Sequence, residues 1–211
     1  MKKINRGHKL INAINGIKIL KQNGFKVIIH IMPDLPGSDF AQDIKMFNYI
    51  YNSESLQPDE MKVYPCQVVP WTTIEKWNKL GKYIPYADSD FDKFCEVIEY
   101  AISECPPHIR LPRVVRDIPH DYISAGNKVT NLRQIIEDSM AKKLTESKDI
   151  RHRESGRFDT EGITPKFCLR EYKASDGFRC CYLRRFQLIF ILTDDFVDKR
   201  HRFLLCIRLN A

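Results

Sequence analysis

The sequence predicts an α/β fold in which buried parallel strands, open or closed as a barrel, are followed by a β-rich tail. Three observations carry this. Short β-branched apolar runs alternate with segments whose apolar residues recur every three or four positions, the pattern of buried strands separated by helices. A rigid loop, Pro33–Gly37, follows the first of those strands, where folds of this class keep their working loops. Near residue 145 the alternation stops. After a polar stretch the chain reads as strands, with Ser175-Asp176-Gly177 as a hairpin turn.

Residues 8–23 form the first expected helix, with Leu10, Ile14, Ile17 and Leu20 inward and Gly24 as the stop. Phe25 to Met32 is a buried strand. The prolines and glycine of residues 33–37 forbid either periodic structure. Ser38 or Asp39 caps a helix over 40–52 that buries Phe40, Ile44, Phe47 and Ile50 or Tyr51. Met61 to Val69 is a second strand, and 73–80 a short helix closed by Gly81. Ser89 or Asp90 starts a helix with Phe91, Phe94, Ile98, Ala101 and Ile102 inward, ended by Pro106 and Pro107. Residues 111–116 make a third strand. Thr130 or Asn131 caps a helix to Lys143. Beyond the polar segment 145–162, strands are expected over Lys166–Lys173, Phe178–Leu183, Phe186–Thr193 and Arg202–Leu209.

With 43% hydrophobic and 29% charged residues, the 211-residue chain can bury a core, which excludes wholesale disorder. No apolar run approaches the roughly 18 residues that span a bilayer, so no membrane association is expected. The net charge of +7 suits a nucleic-acid partner or a solvated basic surface. The seven cysteines are odd in number, and no Cys-x-x-Cys occurs. Residues 1–24 lack the apolar stretch of a signal peptide, and a reducing compartment follows: the cytoplasm, with the nucleus as a second location.

Two loops are the candidate working parts. His30 and Asp34 flank the end of the first strand; Asp34 is the better candidate, because an Asp between prolines is conformationally costly to place, whereas His30 fits a core histidine. Around the third strand stand Arg110, Arg113 and Arg116 with Asp117. Alternation puts Val114 and Arg116 on one face, and Arg113, Val115 and Asp117 on the other. Such arginines call for a carboxylate, a phosphate or RNA, or for an internal Arg–Asp pair. Arg151, His152, Arg153 and Glu154 form a further basic cluster, suited to a phosphate backbone, a metal or solvent. No glycine-rich nucleotide loop, His-Glu-x-x-His or Gly-x-Ser-x-Gly occurs, so no complete catalytic set is legible.

Several segments in order resemble the catalytic subunit of Elongator, a radical SAM and acetyltransferase family that modifies wobble uridine. They are NRGH (5–8), GFKVIIHIMPDLPGSDFAQDI (24–44), PDEMKVYPCQVV (58–69), LGKYIPYADSD (80–90), RVVRDIP (113–119) and RHRESG (151–156). Residues 4–160 carry the resemblance strongly. LREY (169–172), DG (176–177) and FLLCIRL (203–209) extend it weakly.

The resemblance implies that residues 1–143 are the later half of a radical SAM-type (β/α) barrel. Residues 144–211 would be a bridge and the first strands of an acetyltransferase-like domain. It implies carboxymethylation of tRNA wobble uridine from acetyl-CoA, with S-adenosylmethionine (SAM) and a 4Fe–4S cluster; the family is also described as a histone and lysine acetyltransferase. Partners would be tRNA and other Elongator subunits. Met32, Pro33, Asp34 and Gly37 would lie on the SAM side of the barrel mouth. Arg110, Arg113 and Arg116 would face the RNA or the cofactor, and together with Lys128, Arg133, Arg151 and Arg153 they are the expected tRNA-binding residues. The family's cluster needs three cysteines with a Cys-x-x-Cys pair, expected upstream of these segments, and its acetyl-CoA turn is expected beyond Ala211. The chain alone is therefore expected to hold no catalytic residues, to bind none of these cofactors fully, and to act as a non-catalytic tRNA- or partner-binding remnant if it acts at all. Some relatives bind zinc near the position of His152, but no neighbouring cysteines support a metal there.

Overall fold

The structure, a computed structural model, describes residues 3–154, 156, 167–175, 177–184 and 189–193. Helix α1 (Leu10–Gln22) leads into β1 (Ile28–Ile31), α2 (Phe40–Asn52) and β2 (Glu60–Val63). Then follow β3 (Gln67–Val68), α3 (Thr73–Lys79), the single turn α4 (Tyr86–Ser89) and α5 (Phe91–Ser103). Strand β4 (Arg110–Arg113), β5 (Ala125–Gly126) and α6 (Leu132–Lys142) complete the helix-rich part. Strands β6 (Phe167–Ala174), β7 (Gly177–Arg184) and β8 (Ile189–Thr193) follow.

Strands β1, β2 and β4 lie in that order in a parallel sheet, and β6, β7 and β8 form an antiparallel meander. The mixed architecture and the hairpin expected at 175–177 are therefore present. The last expected strand, Arg202–Leu209, lies outside the described residues. The core fills the space between one face of the parallel sheet and helices α2, α5 and α6. Met61 and Val63 of β2 and Leu111 of β4 meet Phe47, Phe94, Ile98, Leu132 and Ile136 there. Fully burying an aliphatic or aromatic side chain contributes about 1.5–3 kcal/mol, so this contiguous cluster dominates the favourable side of folding.

Four expectations are corrected. The strand expected over Met61–Val69 is two strands. Pro65 has no N–H to donate, and the chain turns there so that β3 pairs antiparallel with β5. The strand expected over 25–32 begins only at Ile28. Phe25 N–H is drawn back to Leu20 C=O (3.0 Å) and Gly24 takes φ +81°, so residues 24 and 25 still belong to the helix stop, and Val27 bonds to Asp59 just ahead of β2 before regular pairing starts. The third strand ends at Arg113, and Val114 and Val115 are both buried, so the two-faced alternation expected through Asp117 does not form. In α1, Ile17 is buried and Ile14 packs partly, but Leu10 and Leu20 are exposed. Lys21 turns inward instead, because Asp59 Oδ1 lies 3.2 Å from its ammonium.

Candidate functional site

Parallel strands deliver their following loops to one end of the sheet. Here β1, β2 and β4 bring together residues 32–39, 64–71 and 114–127. The β3–β5 ladder welds the second loop to the third (Gln67↔Gly126, Val68↔Ala125). Gly126 sits at φ +90°, and a Cβ there would stand 2.7 Å from Cys66 C=O, so the weld requires glycine. Cys66, Val68, Tyr83 and Ala125 form a second small core under these loops, with Leu35, Ile74 and Trp77 packed on it.

Asp34 is the hinge-pin of the first loop. It is 1% exposed and takes φ +62°, a left-handed conformation that Asp tolerates better than most residues. Its carboxylate accepts from Tyr86 N–H (2.9 Å) and Ala87 N–H (3.1 Å) at the start of α4. Its own N–H donates to Asp43 Oδ2 (2.6 Å), and its carbonyl accepts from the Tyr83 hydroxyl. Asp43 also receives Ser38 Oγ (2.6 Å) and Tyr86 Oη (2.8 Å). Burial pushes the Asp34 carboxyl up to about 7, against the pull of its two N–H donors, and burial raises Asp43 as well. Of the four expected cofactor contacts, Pro33 and Asp34 are buried, and only Met32 and Gly37 reach the surface. Asp43, Tyr83, Tyr86 and Asp88, which holds Gly126 N–H at 2.8 Å, were not singled out in the sequence. Asp43 left a trace: it is the polar residue within the otherwise apolar phase of α2.

The expected RNA-facing residues fall into two groups. Arg113 pairs with Asp117 (3.4 Å) on an exposed surface, the internal pair the sequence admitted, and Arg116 and Lys128 are exposed. Arg110 is held by Glu154 (2.5 Å) and Glu60 (3.6 Å). Arg133 has a side chain only 13% exposed; it binds Glu137 (2.7 Å), Asp149 (3.2 Å) and the Leu111 carbonyl. Asp149 is itself fully buried and gathers Ser147, Leu111 N–H, Arg151 N–H and His152 N–H around it. Arg153 donates to Pro107 C=O (2.5 Å) and Lys148 C=O (2.9 Å). So Arg110, Arg133, Arg151 and Arg153 gather around the 145–154 segment, whereas Arg116 and Lys128 are exposed on the loop after β4 and its continuation. The register also aligns His30, Lys62 and Arg113 in one row across the sheet, with the His30 ring edge-on to Tyr64 at 5.3 Å. Lys62 carried no sequence signal of its own.

Among the described residues no group of three or more His, Cys, Asp or Glu could hold a metal ion, His152 included. Cys66, Cys95 and Cys105 are free thiols. Burial raises all three, Cys66 to about 11, which disfavours the thiolate that a cluster iron requires. Nor do these three gather at one place, so they do not form the ligand set of a 4Fe–4S cluster. Among the described residues no helix is long and apolar enough to cross a membrane.

The Radical_SAM C-terminal domain model matches residues 58–142. A tRNA uridine(34) acetyltransferase of Methanocaldococcus jannaschii is 39% identical over 178 residues, 82% of this chain and 32% of that protein. Elongator complex protein 3 of Mus musculus is 35% identical over 152 residues, 72% of this chain and 27% of that protein. In three dimensions the chain is similar to the archaeal Methanocaldococcus infernus Elp3 with an N-terminal deletion. The TM-score is 0.78 at 35% identity, over 86% of this chain and 43% of that one. The chain thus spans about a third of the length of these sequence relatives.

Proposed function

We propose, from the premise that this chain belongs to the family of tRNA uridine(34) acetyltransferase and Elongator complex protein 3, that it is a tRNA-binding part of a wobble-uridine-modifying catalyst. In this reading residues 1–143 are the later half of a radical SAM barrel, and residues 144–211 lead into an acetyltransferase-like domain. The family chemistry is carboxymethylation of wobble uridine from acetyl-CoA, with SAM and a 4Fe–4S cluster. This chain's residues take the RNA-holding share of it. Exposed Arg113, Arg116 and Lys128 face phosphates, while Asp34 fixes the loop that presents Met32 and Gly37. Other Elongator subunits are the proposed protein partners, in the cytoplasm and nucleus.

The observation that best supports the reading is the loop cluster at the carboxyl end of the sheet, rigidly welded and edged with cations, in a chain 39% identical to a tRNA-modifying relative over most of its length. Because no Cys-x-x-Cys occurs and the three described thiols gather at no common site, the proposed role of the chain by itself is tRNA binding without SAM cleavage. The test is anaerobic reconstitution with iron and sulfide alongside tRNA binding at several salt concentrations. The expected result is no cluster absorbance, no SAM cleavage, and an affinity for tRNA that drops on the order of tenfold between about 50 and 200 mM salt. SAM cleavage above a blank would overturn the inactivity. No binding, or binding indifferent to salt, would overturn the RNA role.

A further inference from the structure

The loops at the carboxyl end of the sheet expose two aromatic rings that the fold does not use. Trp71 is 91% exposed and Tyr122 57%. Burying a large aromatic is normally one of the stronger gains in folding, so a tryptophan held almost wholly in water needs a reason. Trp71 is also held firmly. It takes φ +63°, a conformation rare for a bulky residue. Its N–H donates to Glu75 Oε2 (2.8 Å), and the next residue, Thr72, caps α3 through Glu75 N–H while its own hydroxyl donates to Val69 C=O (2.7 Å). Val68, three residues before Trp71, belongs to the second small core, and Trp77 packs on that core. The backbone is thus rigid where the ring projects.

The ladder that welds the loops brings the segments that carry the two rings side by side. Ser124 N–H donates to Val68 C=O (2.8 Å), so Trp71, just beyond Val68, and Tyr122, just ahead of Ser124, lie on adjoining loops. Exposed cations follow or flank these residues in the chain: Lys76 and Lys82 after Trp71, and Arg116 and Lys128 on either side of Tyr122. Lys79 is engaged by Glu75 (2.6 Å), and the acids on or against these two loops are Asp117, paired with Arg113, Asp121, beside His120, and Asp88, which holds Gly126 N–H. Rings interleaved with excess positive charge form the chemistry that receives unpaired nucleotides: bases stack on the aromatic faces and phosphates meet the cations.

We propose that Trp71 and Tyr122 form a stacking platform for unpaired RNA bases at the mouth of the site. This deepens the reading under Proposed function and rests on it. The experiment uses the full chain and a tRNA anticodon stem-loop as probe, with tryptophan fluorescence as one readout and direct affinity as the other. Adding the RNA quenches the fluorescence. In Trp71→Phe, which keeps a ring and leaves Trp77 as the remaining tryptophan, affinity stays within about threefold but the quench is lost. Trp71→Gly relieves the left-handed backbone, so the variant folds, yet its affinity drops about 5- to 100-fold, and Tyr122→Ala drops in the same range. Unchanged affinity in both Trp71→Gly and Tyr122→Ala overturns the platform while leaving RNA binding intact. Loss of self-association or protein capture in these variants, with RNA affinity unmoved, overturns it in favour of a protein-docking patch. Absence of RNA binding by the parent chain overturns both this proposal and the reading on which it rests.

Discussion

Asp34 and His108 occupy opposite ends of the parallel sheet and titrate in opposite senses. The Asp34 carboxyl is raised by burial from 3.8 to about 7. The folded chain therefore holds its proton where the unfolded chain has lost it, and the stability this contributes is present below pH 4 and lost as pH rises through about 7. His108 is stacked on Tyr172 at 3.8 Å, and its Nε2 lies 2.7 Å from Gln57 Oε1. Burial, with Lys21 nearby, lowers it from 6.5 to about 3. Its contribution is present above pH 6.5 and lost as pH falls toward 3. Melting temperatures measured from pH 4 to 8 should separate the two. Asp34→Asn should make stability rise more with pH than it does in the parent, and His108→Gln should make it rise less. Profiles parallel to the parent in both variants would refute the assignment. Arg133 supplies a second prediction at this scale. Arg133→Ala strands the buried Asp149 and should cost about 3–5 kcal/mol in urea unfolding, whereas Arg116→Ala, on an exposed loop, should leave stability within about 0.5 kcal/mol and weaken RNA binding.

Helix ends and helix faces were the most legible elements. Asp39 and Asp90 cap α2 and α5 through Gln42 N–H and Lys93 N–H, each being one of the two residues the sequence offered at that helix start. Asp90→Ala should cost about 1 kcal/mol by thermal or urea denaturation. On α5, Phe94, Ile98, Ala101 and Ile102 are fully buried and Phe91 is not. Ile98→Ala should therefore cost about 2–5 kcal/mol, and Phe91→Ala distinctly less; equal losses at the two sites would contradict the packing. Asn131 begins α6 without a side-chain bond to the helix, so Asn131→Ala should be nearly neutral. Strands were read less well, because a four-residue strand offers too few alternations to fix its ends. Pro65 and Pro112 also interrupt ladders that a run of apolar residues suggests are continuous.

At the scale of the molecule, the sheet separates two kinds of work. Its carboxyl end carries the welded loops, the exposed rings and the cations. Its amino end joins the antiparallel meander: Tyr172 of β6 stacks on His108 and lies under the Lys21 ammonium at 5.8 Å from the ring centre, and Ser175 N–H donates to Glu54 C=O (2.7 Å). Lys21 is simultaneously paired with Asp59, whose other oxygen accepts Val27 N–H at 2.6 Å. One buried cluster thus ties α1, β1, β2 and the meander together. Tyr172→Ala should loosen the meander and raise amide exchange across residues 167–175 while leaving the carboxyl-end loops protected. Uniform deprotection of the whole chain would instead show that the two ends unfold as one unit.

The alternation of the main helices and strands, the capped starts of α2 and α5, the rigid loop after β1, the hairpin and the family were available in the sequence alone, because each is written in neighbouring residues: periodicity, punctuation and motif order are local. Tertiary structure alone decided that Asp34 is buried beneath Tyr86 and Ala87, that Lys21 rather than Leu20 turns inward, and that Arg133 braces Asp149. It alone aligned His30, Lys62 and Arg113, and set Trp71 beside the Tyr122 loop. The physical reason is separation along the chain. A periodic pattern states which face of an element avoids water, but the partner of a charge or ring on that face comes from strands and helices many residues away, and only packing selects it.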